Sequence, residues 1–413
     1  RLKGKLDLPA GFSEMELLAD LERLAGRNQA CDRQVCFLGA GAYDHFIPSA
    51  VDDLAGQSSF VTAYTPYQAE ASQGALQAFY EFQTFVCQLS GMDVANASLY
   101  EGATAAAEAV MMARNVNRRD KVIVSAGVNP DYLRVLGTYL SCLSVELVVC
   151  PLRGGVTDFE AMAGLVDGQT SAVMVQSPNF LGCVEELNRA SDLIHRAGGL
   201  SIAVFDPVAC AILKPPGALG ADVAVGEGQP LGIPMSLGGP YLGLLAARQK
   251  YVRKMPGRLI GRSQDATGKS AYTLTLQTRE QHIRREKATS NVCTNQGLLA
   301  VRAAVYMSLM GRRGLEQVAS LCLDKAHYAA ERIASLNGYE LAFEAPFFRE
   351  FAVRTDRNVA GVLAHCQNRG ILAGVPLGNW FDQMKDCFLV AVTEKRSQEE
   401  IDALAAALGS AAP

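Results

Sequence analysis

Ala203-Val204-Phe205-Asp206-Pro207 is the stretch that decides the fold: an apolar run closed by an acid and a chain-turning proline. It belongs to a series of short strand-like runs, Lys121–Ser125, Ser144–Val149, Ser171–Gln176, Leu200–Phe205 and Ala221–Val225. Ahead of them, Leu76–Leu89 and Ala103–Arg114 carry helical periodicity. Strands separated by helices imply an α/β fold with a mostly parallel sheet covered on both faces. Ligands of such sheets bind at the carboxyl ends of the strands, which is where Asp206 falls. Residues 60–300 are thus expected to form a large α/β domain. Upstream, Ser13 with Glu16 reads as a capping box ahead of Leu17, Leu18, Leu21 and Leu24, so 1–59 is expected to be an N-terminal arm with an amphipathic helix. Downstream, a helix near Gln296–Met310 leads into residues 301–413. There Tyr339–Phe343, Phe351–Val353 and Cys387–Val392 read as strands and Gln398–Leu408 as a helix, a smaller C-terminal α/β domain.

Composition excludes several function classes. The 413 residues carry a net charge of -4, from 38 basic and 42 acidic side chains. Without a basic block, neither a nucleic-acid-binding surface nor a polybasic membrane surface is expected. No run approaches the roughly 18 apolar residues of a membrane span, and a cytoplasmic location is expected. Eleven cysteines lack any CxxC pair, which argues against a disulfide framework or a zinc site. The five histidines show no metal-ligand spacing, so no metal is expected. Gly39-Ala40-Gly41-Ala42 lacks the third glycine of a dinucleotide fingerprint and reads as a glycine turn. Ser263–Ser270 ends like a phosphate-binding loop, but it starts on serine and follows no apolar strand. With Arg253, Arg258 and Arg262 nearby it reads as a basic surface stretch. The chain starts at Arg1 without methionine or a signal-like segment, and a natural start upstream is expected.

Two features converge on one cofactor. Glu101-Gly102-Ala103-Thr104 opens an alanine-rich helix, as a plain helix start or as a turn offering backbone N–H groups to a phosphate. Asp206 either caps the following turn or pairs with a cofactor ring nitrogen, as pyridoxal phosphate requires to act as an electron sink. Together they suggest the pyridoxal-phosphate architecture, which normally places a lysine after the next strand to hold the cofactor as an imine. Here that window reads Gly226-Glu227-Gly228-Gln229-Pro230-Leu231-Gly232. Only 11 of the 38 basic residues are lysine; Lys214 precedes the strand and Lys250 follows a further turn and apolar run. A glutamine amide cannot form an imine, so the covalent role is unfilled.

Longer motifs carry a resemblance. Thr62-Ala63-Tyr64-Thr65-Pro66-Tyr67-Gln68-Ala69-Glu70, Ser72-Gln73-Gly74, Gly91–Ser98, Met255-Pro256-Gly257-Arg258, Asp265–Lys269 and above all Gln277–Asn291 resemble the glycine cleavage system P-protein. The match is similar to subunit 1 of the two-subunit bacterial form, the counterpart of the N-terminal half of the single-chain enzyme. The resemblance implies a fold-type I pyridoxal-phosphate transferase-like architecture, and a partner, subunit 2, carrying the cofactor lysine in a His-Lys-Thr context. Counting back from Gly238-Gly239-Pro240 places Gln229 at that lysine's position. Asn129-Pro130 stands where members of this half often have His-Pro.

The implied reaction is decarboxylation of glycine with transfer of the aminomethyl group to the lipoyl arm of the H-protein. Pyridoxal phosphate would be bound covalently by the partner subunit and none by this chain, leaving Gly102, Thr104 and Asp206 as vestiges of a cofactor site. Tyr64, Tyr67, Gln68 and Glu70 would reach the partner's active site or, for the tyrosines, fill the contact. Arg284, Arg285, Lys287 and Asn291 would line the lipoyl tunnel or brace the subunit contact. An obligate contact of this kind buries more than about 2,000 Å². Two other readings stay open: an independently active aminotransferase-like enzyme using Lys214 or Lys269, and a purely structural scaffold subunit.

Overall fold

A computed structural model describes residues 7–31, 33–61 and 66–412. Its centre is a seven-stranded sheet of β1 (Val94–Ala95), β2 (Lys121–Ser125), β3 (Glu146–Cys150), β4 (Thr170–Ser177), β5 (Leu200–Phe205), β6 (Val223–Glu227) and β7 (Gly243–Ala247), in spatial order β1-β7-β6-β5-β4-β2-β3. Strands β3, β2, β4, β5 and β6 run parallel, and β7 is antiparallel to both of its neighbours. Successive strand residues alternate between two cores. Val173, Val175, Ala203 and Phe205 face one, while Ala172, Met174, Ile202 and Val204 face the other. Both faces are therefore buried, which is why these strands read as continuous apolar runs rather than alternating ones. Strand β6 begins and ends two residues later than the run Ala221–Val225. Gly226 stays in register with Phe205 and Leu244, so the ladder carries Glu227 to the ligand edge.

Helix α1 (Glu14–Ala25) has the expected capping box at Ser13 and Glu16. None of its residues is buried, and Leu17, Leu18, Leu21 and Leu24 stand exposed together with Leu8, Phe12 and Met15. Helices α2 (Gln73–Ser90), α3 (Gly102–Asn117), α4 (Pro130–Leu140) and α5 (Leu187–Arg196) cover the sheet. Every residue from Gly102 to Val110 is buried. The alanines of α3 let it lie close to β6 and β7 while α4 packs on its other side.

Strands β8 (Leu259–Gln264) and β9 (Ser270–Thr275) form a hairpin whose turn is held by Asp265 Oδ1, accepting from the N–H groups of Thr267 and Lys269. The phosphate-loop-like stretch is this exposed turn. Helix α6 (Gly297–Ala334) then runs for 38 residues, broken in direction at Gly311, where φ is 58°. It leads to an antiparallel sheet of β10 (Tyr339–Leu341), β11 (Glu350–Thr355), β12 (Val375–Pro376) and β13 (Cys387–Ala391), in order β10-β11-β13-β12. Helices α7 (Val359–Gln367) and α8 (Gln398–Gly409) pack on its core with Phe37. Val35–Cys36 pairs in parallel with Ile371–Leu372, so this part of the expected arm belongs with the small sheet, and α6 passes through position 300 without interruption. Among the described residues no helix is long and apolar enough to cross a membrane.

Candidate functional site

At the carboxyl end of β5, Asp206 does two things at once. Its Oδ1 accepts from the N–H groups of Val208 at 2.8 Å and Ala209 at 3.1 Å, capping the turn, while Oδ2 is paired with Arg349 Nη2. Arg349 immediately precedes β11, is 2% exposed, and stacks its guanidinium carbon 3.7 Å from the centroid of the Tyr43 ring. Its Nη1 lies 2.6 Å from His45 Nε2. A guanidinium can only donate, so Nε2 accepts, and the ring proton on Nδ1 goes to Glu394 Oε2 at 2.6 Å. The donor atoms of His45, Cys322 and Glu394 lie within 4.8 Å of one another, as metal ligands would. Both imidazole nitrogens are engaged, however, and no lone pair on His45 is left for an ion.

The N-terminus of α3 is also occupied. Glu101 Oε1 accepts from Thr104 N at 2.7 Å and from the Thr104 hydroxyl. Glu227 Oε2 accepts from Gly102 N at 2.9 Å, and its Oε1 from Gln229 N at 3.0 Å and Leu242 N at 2.9 Å. Two carboxylates of the chain thus sit where the dipole and free N–H groups of a helix start would hold a phosphate. The Tyr132 hydroxyl packs so close to Gly102 that a Cβ there would overlap it. Gln229, which the resemblance aligned with the cofactor lysine, is 1% exposed; its Oε1 accepts from Tyr43 N at 2.9 Å, and its Nε2 donates to Tyr43 O at 3.0 Å and Ile233 O at 2.8 Å. Glu350 accepts from Ala40 N at 2.6 Å and the Tyr43 hydroxyl at 2.8 Å. Burial pushes the carboxyls of Glu227 and Glu350 each up to about 7, against the hydrogen bonds that favour their ionised forms.

What remains is a cavity of about 50 Å³ bordered by Asn129, Tyr132, Asp206, Glu227, Arg349 and Glu350 among others. That is room for a few waters, far below the several hundred Å³ typical of a site for an organic ligand. Pyridoxal phosphate does not fit these residues: the helix N–H groups, Asp206 and Gln229 are each already engaged. Asn129 is used as the cap of α4, its Oδ1 accepting from Asp131 N at 2.9 Å. Lys214 and Lys269 are exposed, and neither lines the cavity.

A second polar cluster faces outward. Of the motif Tyr64–Glu70, Tyr64 lies outside the described residues, while Tyr67, Gln68 and Glu70 are exposed. The Tyr67 hydroxyl is 3.3 Å from Nη2 of Arg258, and its ring meets the edge of His282 with centroids 5.8 Å apart at 66°. Arg258 and Glu280 are buried; Glu280 Oε2 lies 3.9 Å from Arg258 Nε and 3.6 Å from His282 Nδ1. Burial raises the Glu280 carboxyl against the pull of Arg258. Beside them Phe60, Phe79, Leu298 and Val301 line a pocket of about 230 Å³ that ends on Arg258 and Asn295. The structure therefore joins Tyr67 to parts of two other motifs, Met255–Arg258 and Gln277–Asn291. Arg284, Arg285, Lys287 and Asn291 are exposed, and no ion pair holds the three cations among the described residues.

Sequence reasoning missed Tyr43, His45, Glu227, Arg349, Glu350 and His282, and it placed Arg258 in a basic surface stretch, whereas Arg258 is 4% exposed because its guanidinium turns inward to Cys293 O and Asn295 Oδ1. The signal for two of them was an Arg-Glu pair inside the apolar run Phe347-Phe348-Arg349-Glu350-Phe351-Ala352-Val353. Charges there must be buried and partnered.

Known proteins resemble this chain in sequence and in fold. The family model of the glycine cleavage system P-protein matches residues 1–408. A protein of Moorella thermoacetica named "Probable glycine dehydrogenase (decarboxylating) subunit 1" is 52% identical over 408 residues, covering 99% of this chain and 91% of its own. One of the same name from Chlorobaculum tepidum is 50% identical over 411 residues, covering 99% and 92%. The crystal structure of a glycine decarboxylase (P-protein) in inhibitor-bound form superposes with a TM-score of 0.93 at 42% identity, over 99% of this chain and 92% of that one. The fold alone extends to a sphingosine-1-phosphate lyase of Burkholderia pseudomallei, with a TM-score of 0.71 at 15% identity over 98% and 92%. By its length, its motifs and its fold-type I architecture, the chain belongs to the glycine cleavage system P-protein family.

Proposed function

We propose that this chain is the cofactor-free subunit of a two-subunit glycine decarboxylase and completes the active site of a lysine-bearing partner. The observation that carries the reading is the self-filled pocket: Gln229 at the lysine position, Arg349 on Asp206, and Glu101 and Glu227 on the N-terminus of α3. In the reaction the bond from the glycine α-carbon to its carboxylate breaks and CO2 leaves. The α-carbon, still bearing its amine, then bonds to one sulfur of the H-protein lipoyl disulfide, whose other sulfur is reduced to a thiol. Pyridoxal phosphate on the partner would stabilise the electron pair released by decarboxylation. This chain supplies a rigid face on which Tyr67, Gln68 and Glu70, with Tyr64, reach the partner's site, and Arg284, Arg285, Lys287 and Asn291 border the path of the lipoyl arm or the subunit contact. Location in the cytoplasm agrees with this soluble metabolic role.

The exposed apolar side chains of α1 and of the segment before it support obligate pairing, because five on the helix and two ahead of it, without cover, favour association. The test is to purify the chain alone and with its partner. With pyridoxal phosphate the chain alone should give no borohydride-reducible imine absorbance, and glycine–bicarbonate exchange should require both subunits. An imine on this chain, or exchange by it alone, would favour the independently active enzyme; full exchange by the partner alone would favour the scaffold.

A further inference from the structure

We propose that Arg258 is a positioning residue that makes the Tyr67 phenol a directed hydrogen-bond donor to an anionic oxygen across the subunit contact; this rests on the reading that the Tyr67 loop serves the partner's active site. The polarity follows from the donor inventory. A guanidinium has five N–H donors and no acceptor, so in the 3.3 Å contact between Arg258 Nη2 and Tyr67 Oη the arginine donates and the phenol accepts. The single phenol proton must point elsewhere. No acceptor for it lies within hydrogen-bond distance among the described residues, and Tyr67 is 51% exposed. The positive charge beneath the ring, 5.4 Å from its centroid, favours a negatively charged acceptor over a neutral one.

Arg258 is itself held from below. Its Nη2 donates to Cys293 O at 3.0 Å and its Nη1 to Asn295 Oδ1 at 3.4 Å. Those residues are tied to the segment entering α3: Cys293 N donates to Tyr100 Oη at 3.1 Å, Asn295 Nδ2 to Ala97 O at 2.5 Å, and Gln296 N to Ser98 Oγ at 3.1 Å. Tyr67 is therefore referenced, through one buried cation, to the backbone that fixes the ligand edge of the sheet. His282 packs against the same ring in an edge-type contact, with centroids 5.8 Å apart. A phosphate oxygen of the partner's cofactor and the carboxylate of the substrate share the required chemistry.

The experiment uses the assembled two-subunit enzyme carrying Tyr67→Phe, Arg258→Met, Arg258→Lys, and Tyr67→Phe combined with each arginine variant. Three quantities are read: the Kd of the apo complex for pyridoxal phosphate by absorbance titration, the KM for glycine in glycine–bicarbonate exchange, and assembly by sedimentation. Tyr67→Phe should weaken one of the two affinities roughly 10- to 100-fold, as expected for loss of a hydrogen bond to a charged acceptor. A shift in the cofactor Kd assigns the phosphate, and one in the glycine KM assigns the carboxylate. Arg258→Met should move the same quantity, Arg258→Lys should restore part of it, and neither arginine variant should add to the loss already caused by Tyr67→Phe. Losses that multiply in the double variants, or an Arg258→Met that leaves unchanged what Tyr67→Phe shifts, would overturn the proposal. If Arg258→Met does not assemble, the Arg258→Lys pair decides by the same rule. A Tyr67→Phe that moves neither affinity overturns the underlying reading of the loop as well, and so is distinct from failure of the positioning role alone.

Discussion

Arg349 and Arg258 are two buried arginines put to opposite uses. Both are under 5% exposed, both stack near a tyrosine, and both leave Nε without a hydrogen-bond acceptor. The difference lies in their Nη groups. Arg349 holds a carboxylate and an imidazole, and the tyrosine over it, Tyr43, spends its hydroxyl on Glu350. Arg258 holds a backbone carbonyl, an amide oxygen and a phenol that keeps its own proton. The first set is closed on itself and the second is half of an arrangement. A polar cluster that satisfies its charges internally stabilises the fold, and one that stops at an exposed phenol is built to be completed.

Breaking the closed set should have the largest effect on stability. Arg349→Met removes the cation from the partly buried Asp206, which keeps only its two backbone donors, and empties a buried site, and should cost about 3 kcal/mol in urea unfolding, with part recovered by adding Asp206→Asn. The same substitution at Arg258 removes hydrogen bonds to uncharged acceptors and only a loose 3.9 Å ion pair to Glu280, whose carboxyl burial already raises toward its neutral form, so it should cost less, about 1–3 kcal/mol. Comparable losses at both positions would erase the distinction between the two clusters.

The sheet was legible in the sequence because its central strands are buried on both faces and so declare themselves as apolar runs; Lys121–Ser125 and Leu200–Phe205 are bounded as read. That no lysine follows the run Ala221–Val225 was legible for a different reason, since it is read directly from the residues. What fills the pocket was not legible. Tyr43, His45, Arg349 and Glu394 come from four separate parts of the chain, and only the folded structure brings them to Asp206. Glu227 was hidden by Gly226, which looks like the end of a strand but is paired on both sides. Likewise Tyr67 was singled out through its motif, whereas its contact with Arg258 spans 191 residues of sequence and has no local signature.

A smaller effect should follow from pH. Burial holds the Glu350 carboxyl at about 7 against an ordinary 4.5, so between those values the folded chain keeps a proton that the unfolded chain has lost. This group's contribution to stability is greatest near the lower value and falls as pH rises through the folded pKa. Glu350→Gln cannot titrate, so relative to the parent its unfolding free energy should improve steadily between about pH 5 and about pH 8 in urea titrations. A constant difference across that range would mean that Glu350 is ionised in the fold throughout. The smallest effect belongs to the outward face. Arg284→Glu with Arg285→Glu should leave the unfolding free energy within about 0.5 kcal/mol, because neither cation has an ion-pair partner among the described residues. Binding of the partner or the H-protein, followed by titration, should nonetheless weaken several-fold, by about the amount expected for lost charge complementarity.

The carboxylates of Glu101 and Glu227 on the N-terminus of α3 have a consequence for supply. A subunit whose pocket must fill from solution gains stability with the logarithm of free cofactor and loses it when cofactor is scarce. Here the anions are part of the chain and arrive with folding, at a concentration that no depletion can lower. The melting temperature of this chain should therefore be indifferent to added pyridoxal phosphate.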